Sequence, residues 1–167
     1  AVEALELANQ QATLPWLRTA LLDEHPGVRF AACVALGMHQ DKSAFDALRK
    51  RSSDADPSVR IGAIFALHKL GDDSQTSALS AYLLNHADIK VRRNAALVIG
   101  RLDQQSSVPL LAKAMKDVDP GVRHHALEAM ARAGNAEARQ ELVFLSNSGV
   151  GADEVFALQA LAGLRDP

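Results

Sequence analysis

Aromatic side chains fill only 4% of the 167 positions, so any core must be built mainly from small and aliphatic residues. Cysteine is nearly missing too. The single Cys33 excludes an internal disulfide and any site made from several thiolates. No apolar run approaches the roughly 20 residues needed to cross a bilayer as a helix. Nor is there an excess of one charge: 18 Lys and Arg stand against 20 Asp and Glu, for a formal net charge of -2. That balance argues against a general binder of nucleic acid or anionic membrane, which would carry a basic excess. What the chain does have is 48% hydrophobic residues against 23% charged. Such a composition suits a folded domain and not a disordered tail.

The apolar residues recur with a long period. Val59-Arg60-Ile61-Gly62-Ala63-Ile64-Phe65-Ala66-Leu67 has relatives beginning at Val28, Val91 and Val122. One alanine column reads Ala1, Ala32, Ala63, Ala95, Ala126, Ala157, spaced 31, 31, 32, 31 and 31. A leucine column reads Leu17, Leu48, Leu79, Leu111, Leu142 and keeps the same spacing. Two columns sharing one period mark an internal repeat of about 31 residues. The single added residue falls between Leu83 and Val91, in the expected turn Asn85-His86-Ala87.

Each unit reads as helix, turn, helix. Pro15 and Pro109 lie near the start of the first helix, where a missing N–H costs nothing. The second helix opens at His25-Pro26, Asp56-Pro57 and Asp119-Pro120, with Asp88 at the matching place; aspartate caps free N–H groups and proline follows. Gly71 and Gly134 sit where that helix should stop. Val59, Ala63, Ile64, Ala66, Leu67 and Leu70 form a helical apolar face. No pair can bury such a face alone, so neighbouring pairs must stack.

The pattern Val-Arg-x-x-Ala-Ala-x-Ala-Leu-Gly, preceded by Asp-x-Asp-Pro, resembles the HEAT-like repeat first named from phycobilisome bilin lyases. The resemblance covers essentially the whole chain. It implies an all-α, right-handed α-α superhelix of about five helix-pair repeats, in one domain spanning 1–167. The expected units are a partial 1–10, then 11–41, 42–72, 73–104, 105–135 and 136–167. Because Ala1-Val2-Glu3-Ala4-Leu5 aligns with Ala32 to Leu36, the chain is expected to start inside a second helix, as a piece of a longer solenoid.

Arg29, Arg60, Arg92 and Arg123 hold one position in the first turn of the second helix. A cation there opposes the positive end of the helix dipole, at a cost of a few tenths to about 1 kcal/mol. It therefore needs a partner. The turn aspartates Asp54, Asp56, Asp88, Asp117 and Asp119 recur at the same period and are the expected acceptors, making a structural ladder of ion pairs. A row of arginines gripping phosphate or carboxylate ligands is the alternative. The ladder ends at Glu154.

In related solenoids the second helices line a concave face. Three columns of this chain map onto it: Phe30, Ile61, Arg93, His124, Val155; then Val34, Phe65, Leu97, Glu128, Gln159; then Met38, Lys69, Arg101, Arg132, Gly163. Phe30, Val34, Met38, Ile61, Phe65 and Leu97 predict an apolar patch bordered by Arg93, Arg101 and Arg132. An exposed patch of that kind ordinarily has a use. A groove for a protein or peptide is one use. Contact with another part of a longer chain, or self-association, is a second. Local variation without a binding role is a third.

Chemistry is harder to find. His25, His39, His68, His86, His124 and His125 include no helical pair with the glutamate of a zinc site. Deoxyhypusine hydroxylase shares the HEAT-like fold, but its iron ligands come from His-Glu pairs, and no His-Glu dipeptide occurs here. A DNA-alkylation-repair reading needs a basic face with aromatics, and Trp16 is expected outside the groove. Cys33 falls on a core column. The sequence thus predicts a protein-interaction scaffold presenting a concave, partly apolar face, with no catalytic residue, metal or cofactor. The alternative is a bilin-lyase-like, enzyme-associated subunit or another HEAT-repeat enzyme. A protein or peptide is the expected partner, or another part of the same chain, with nucleic acid disfavoured. No feature of the residues fixes a compartment.

Overall fold

The computed structural model describes residues 12–102, 107–149 and 151–164. All regular structure among them is helical. The elements are α1 (residues 12–20), α2 (Pro26–Met38), α3 (Phe45–Arg51), α4 (Pro57–Lys69), α5 (Leu79–Asn85), α6 (Ile89–Ile99), α7 (Val108–Ala114), α8 (Pro120–Arg132), α9 (Ala136–Leu145) and α10 (Gly151–Gly163). Short 3-10 turns at Lys42–Ala44 and Thr76–Ala78 lead into α3 and α5.

Local chemistry sets the helix ends. The His25 ring accepts the Gly27 N–H ahead of α2, Asp56 accepts those of Ser58 and Val59 ahead of α4, and Asp119 accepts that of Val122 ahead of α8. Asp88 accepts the Lys90 N–H in α6. Each such cap stabilises its helix by about 1 kcal/mol. At the other end, α4 closes with Gly71 N–H to His68 C=O and Asp72 N–H to Leu67 C=O; α8 repeats this with Gly134 to Ala131 and Asn135 to Met130. Both glycines are left-handed, at φ 96° and 87°, as this C-terminal motif requires. α2 makes the same two bonds, Gln40 to Gly37 and Asp41 to Leu36. There Gln40 itself takes φ 50°.

Two expectations shift in detail. Residues 12–14 are already helical, so the first helix does not begin at Pro15, whereas Pro109 is the second residue of α7. The added residue does not lengthen the turn. α5 runs on to Asn85, and residues 86–88 alone join it to α6. A helix absorbs an extra residue readily, because each added residue brings its own backbone hydrogen bond.

The chain divides into two compact units between Val98 and Ile99. In the first, α2 and α4 make the most extensive contact, and α3 packs on α4. Leu21, Ala32, Cys33, Leu36, Leu48, Val59, Ala63, Ala66 and Leu67 form a continuous core. In the second unit α7 packs on α8, α8 on α9 and α9 on α10, around Leu111, Val122, Ala126, Leu127, Met130, Leu142 and Ala157.

Candidate functional site

The four repeat arginines share one arrangement. Each donates from Nη1 to two backbone carbonyls in the turn before its own helix. Arg29 reaches Asp23 and Glu24, Arg60 reaches Asp54 and Ala55, Arg92 reaches His86 and Ala87, and Arg123 reaches Asp117 and Val118, all at 2.7–3.2 Å. The common partner of these arginines is therefore the turn backbone. The cation satisfies carbonyls that no helix pairs, and hydrogen bonds to a charged donor contribute about 1.5–3 kcal/mol.

The other edge of the guanidinium varies. Arg29 grips Asp54 with Nε and Nη2 at 3.1 and 2.9 Å, and Arg51 adds a third bond to the same carboxylate. Burial alone would raise the Asp54 pKa. Hydrogen bonds from Arg29, the Asp56 N–H and Arg51 outweigh that and hold it below the ordinary carboxylate value. Arg60 instead gives its Nε–H to the Tyr82 hydroxyl at 2.9 Å. The turn position that holds an aspartate after Arg29 is here His86, which has no carboxylate to offer. Asp56, Asp88 and Asp119, expected to receive the arginines, cap the helices that follow them.

The expected apolar face is largely interior. Ile61 and Phe65 are 0% exposed and Val34 7%. Phe30 and Leu97 are half-buried, and only Met38, at 53%, is an exposed large apolar residue of the six. Glycine is the reason at the two aromatics. A Cβ on Gly62 would lie 3.0 Å from the Phe30 ring, and one on Gly37 would lie 3.3 Å from the Phe65 ring. α2 and α4 thus approach closely, with a phenylalanine of each set against a glycine of the other. The sequence columns treat these side chains as solvent-facing because the two glycines are on different helices. Of the bordering cations, Arg93 and Arg132 are exposed and Arg101 is half-buried. Arg132 lies 3.5 Å from Glu128, one turn earlier.

On α8 of the second unit the corresponding positions are polar. His124 stacks on Phe156 of α10 with ring centroids 4.0 Å apart and planes 5° from parallel. Its Nε2 lies 3.0 Å from Asp153. Asp153 occupies the column that holds Val59, Val91 and Val122 in other units. These residues border a cleft of about 170 Å³ lined by Met115, Arg123, His124, Leu127, Glu141, Leu145 and Asp153. It is smaller than the roughly 300–1,000 Å³ of a small-molecule pocket. It suits a side chain better than a cofactor. Sequence reading passed over this cleft, although Asp153 in a valine column and Ser148 in an aspartate column both mark it.

Cys33 is fully buried, and burial pushes its thiol up to about 12. A thiol held protonated is a poor nucleophile. Among the described residues no cluster of three His, Cys, Asp or Glu is placed to hold a metal, and no helix is long and apolar enough to cross a membrane.

Comparison with known proteins agrees with this architecture. No curated protein sequence matches the chain. Among solved structures it is similar to the complex of CpcE and CpcF of phycocyanin lyase from Nostoc sp. PCC7120, at 23% identity and a TM-score of 0.51, over 93% of this chain. The chain spans 66% of that protein's length, and at this identity the likeness establishes the fold alone. A family model for HEAT repeats matches residues 1–68 and 76–165, nearly the whole sequence. With its helix pairs, capped turns and 31-residue period, the chain belongs to the HEAT-repeat family.

Proposed function

We propose that the chain is a protein-binding module of a HEAT-repeat scaffold, and that α9 carries the docking surface. One observation supports this most directly. α9 leaves Val143 and Phe144 exposed, Phe144 at 73%. Arg49, Ser80 and Ala112 stand in the column of Val143, and Lys50, Ala81 and Lys113 in that of Phe144. Apolar side chains at positions that other repeats fill with small or polar ones are the usual material of an interface anchor. Met38, Arg93 and Arg132 are further accessible contact points on the second helices, with Phe30, Leu97 and Arg101 partly so. They do not amount to the apolar groove that the sequence predicts, because Ile61 and Phe65 are inside.

The test is partner binding by the full-length protein with Val143→Ser and Phe144→Ser together. A stoichiometric protein partner that is released by the double variant, with helicity unchanged by circular dichroism, supports the reading. Retention of that partner by the variant overturns the proposed surface, and a monomer that holds no protein at any concentration overturns the function.

A second reading is a subunit of a bilin-lyase-type assembly, favoured by the likeness to a phycocyanin lyase complex. The small cleft then points to a subunit that holds a protein, with the pigment carried elsewhere. Covalent pigment attachment to a phycobiliprotein that depends on co-expression of this chain decides for it.

A further inference from the structure

The repeat arginine has two working edges, and in one unit the second edge has no partner among the described residues. Nη1 is fixed to the turn carbonyls in all four units. In the first unit Nε and Nη2 of Arg29 hold the Asp54 carboxylate in a two-bond fork. Asp54 lies 25 residues after Arg29, at the head of the next inter-helix turn, and its own carboxylate also accepts the Asp56 N–H. The same turn position is Asp23, Asp54, His86, Asp117 and Ser148 along the chain. For Arg123 the residue 25 positions on is Ser148, which has no carboxylate. The Ser148 hydroxyl donates to the Leu145 carbonyl.

Arg123 has no other hydrogen bond among the described residues than the two from Nη1. It also lines the cleft beside Met115, Leu127 and Leu145. Glu141 and Asp153 line the same cleft, yet neither is paired with Arg123, and Asp153 is taken by His124. A planar guanidinium edge with two parallel N–H groups matches a carboxylate better than any other protein group. The apolar wall beside it suits the methylenes that carry one.

We infer that the Arg123 cleft is a subsite for an acidic side chain, aspartate or glutamate, of a bound protein, which takes the place that Asp54 takes at Arg29. This rests on the reading of the chain as a protein-binding module only for the source of the carboxylate. The chemistry of the cleft can be tested without a partner.

The probe is N-acetylaspartate N-methylamide, added at millimolar concentrations while the arginine Nε–H resonances are followed by NMR. The Arg123 resonance is expected to move saturably, and that of Arg29, already paired, to stay in place. Ser148→Asp supplies the missing carboxylate from the chain itself. It is expected to move the Arg123 resonance with no probe present and to abolish the response to the probe. N-acetylasparagine N-methylamide, without the charge, should have no effect. The inference is overturned if Arg123 does not respond, if Arg29 responds equally, or if Ser148→Asp leaves the response unchanged. A cleft that takes the probe in a chain that binds no protein would overturn the module reading and leave the subsite standing.

Discussion

The two compact units place the same repeat positions in opposite surroundings. In the first, the second-helix columns hold Val34, Ile61 and Phe65, all buried, beside half-buried Phe30 and Leu97 and exposed Met38 and Arg93. In the second they hold His124, Glu128 and Arg132, half-buried or exposed. The repeat therefore fixes the alanine and leucine columns but leaves these positions free to join the core or meet water. What decides is the neighbouring helix. Gly37 and Gly62 open room for a ring in the first unit, while the matching positions of α8 hold Ala131 and His125. A shared consensus thus predicts backbone geometry much better than it predicts a surface.

The comparison can be broken most forcefully at Phe65. Phe65→Ala is expected to destabilise the chain by about 3–5 kcal/mol, the usual range for a buried phenylalanine. Glu128→Ala, at the matching position of the second unit, should stay within about 0.5 kcal/mol, because its contact with Arg132 is a partly exposed helical pair. Urea unfolding read by circular dichroism separates the two outcomes, and equal effects would remove the distinction drawn here. Ile61→Ser belongs with Phe65 and should lower stability heavily, not act selectively on binding.

Next in size is Asp54. Asp54→Ala leaves Arg29 and Arg51 facing each other without their shared carboxylate, at a cost of about 3 kcal/mol by analogy with other broken buried pairs. The same residue gives the first unit a pH dependence. Its folded pKa lies below the unfolded value, so its contribution is complete above the unfolded carboxylate range and is lost as pH falls through the folded pKa. Acid titration should show the wild type losing stability below about pH 4, with that share missing from Asp54→Asn.

Gly37→Ala is a finer probe. The added methyl would lie 2.7 Å from the Ala66 Cα, a backbone atom that cannot rotate aside. Overpacking of that kind costs about 1–3 kcal/mol, against about 1 kcal/mol gained in helix propensity. A net loss of about 1 kcal/mol is expected, read as a lower melting midpoint. Smallest, and opposite in sign, is Gln40→Gly. Gln40 closes α2 in the left-handed conformation that Gly134 supplies for α8. Removing that strain should stabilise the first unit by about 1 kcal/mol, less part of the chain entropy that glycine adds to the unfolded state. No gain in thermal midpoint would mean that the two ends are not equivalent.

What could be read in advance follows the range of the interactions. Caps at Asp56 and Asp119, the prolines that follow them, and the stops at Gly71 and Gly134 all depend on bonds within a few residues. They stand in the structure as the sequence implies. The arginine column was visible, but its shared partner was not, because a backbone carbonyl leaves no trace in residue type while an aspartate does. The buried face was misjudged for a different reason. Phe30 meets Gly62, and Phe65 meets Gly37, some 30 residues away, so neither helix read alone shows that its aromatic is covered. The cleft at Arg123 needed both kinds of information: a break in the aspartate column, and the fold that sets α9 and α10 beside α8.

The carbonyl clamp has a consequence for how such arrays lengthen or shorten. Because Nη1 is satisfied by the turn of its own unit, a helix pair carries its main polar closure with it when it is duplicated or deleted. Only the Nε edge looks to the following unit, and it donates to a carboxylate at Arg29 and to a phenol oxygen at Arg60. Recombination between units therefore meets one adaptable junction and not a fixed code.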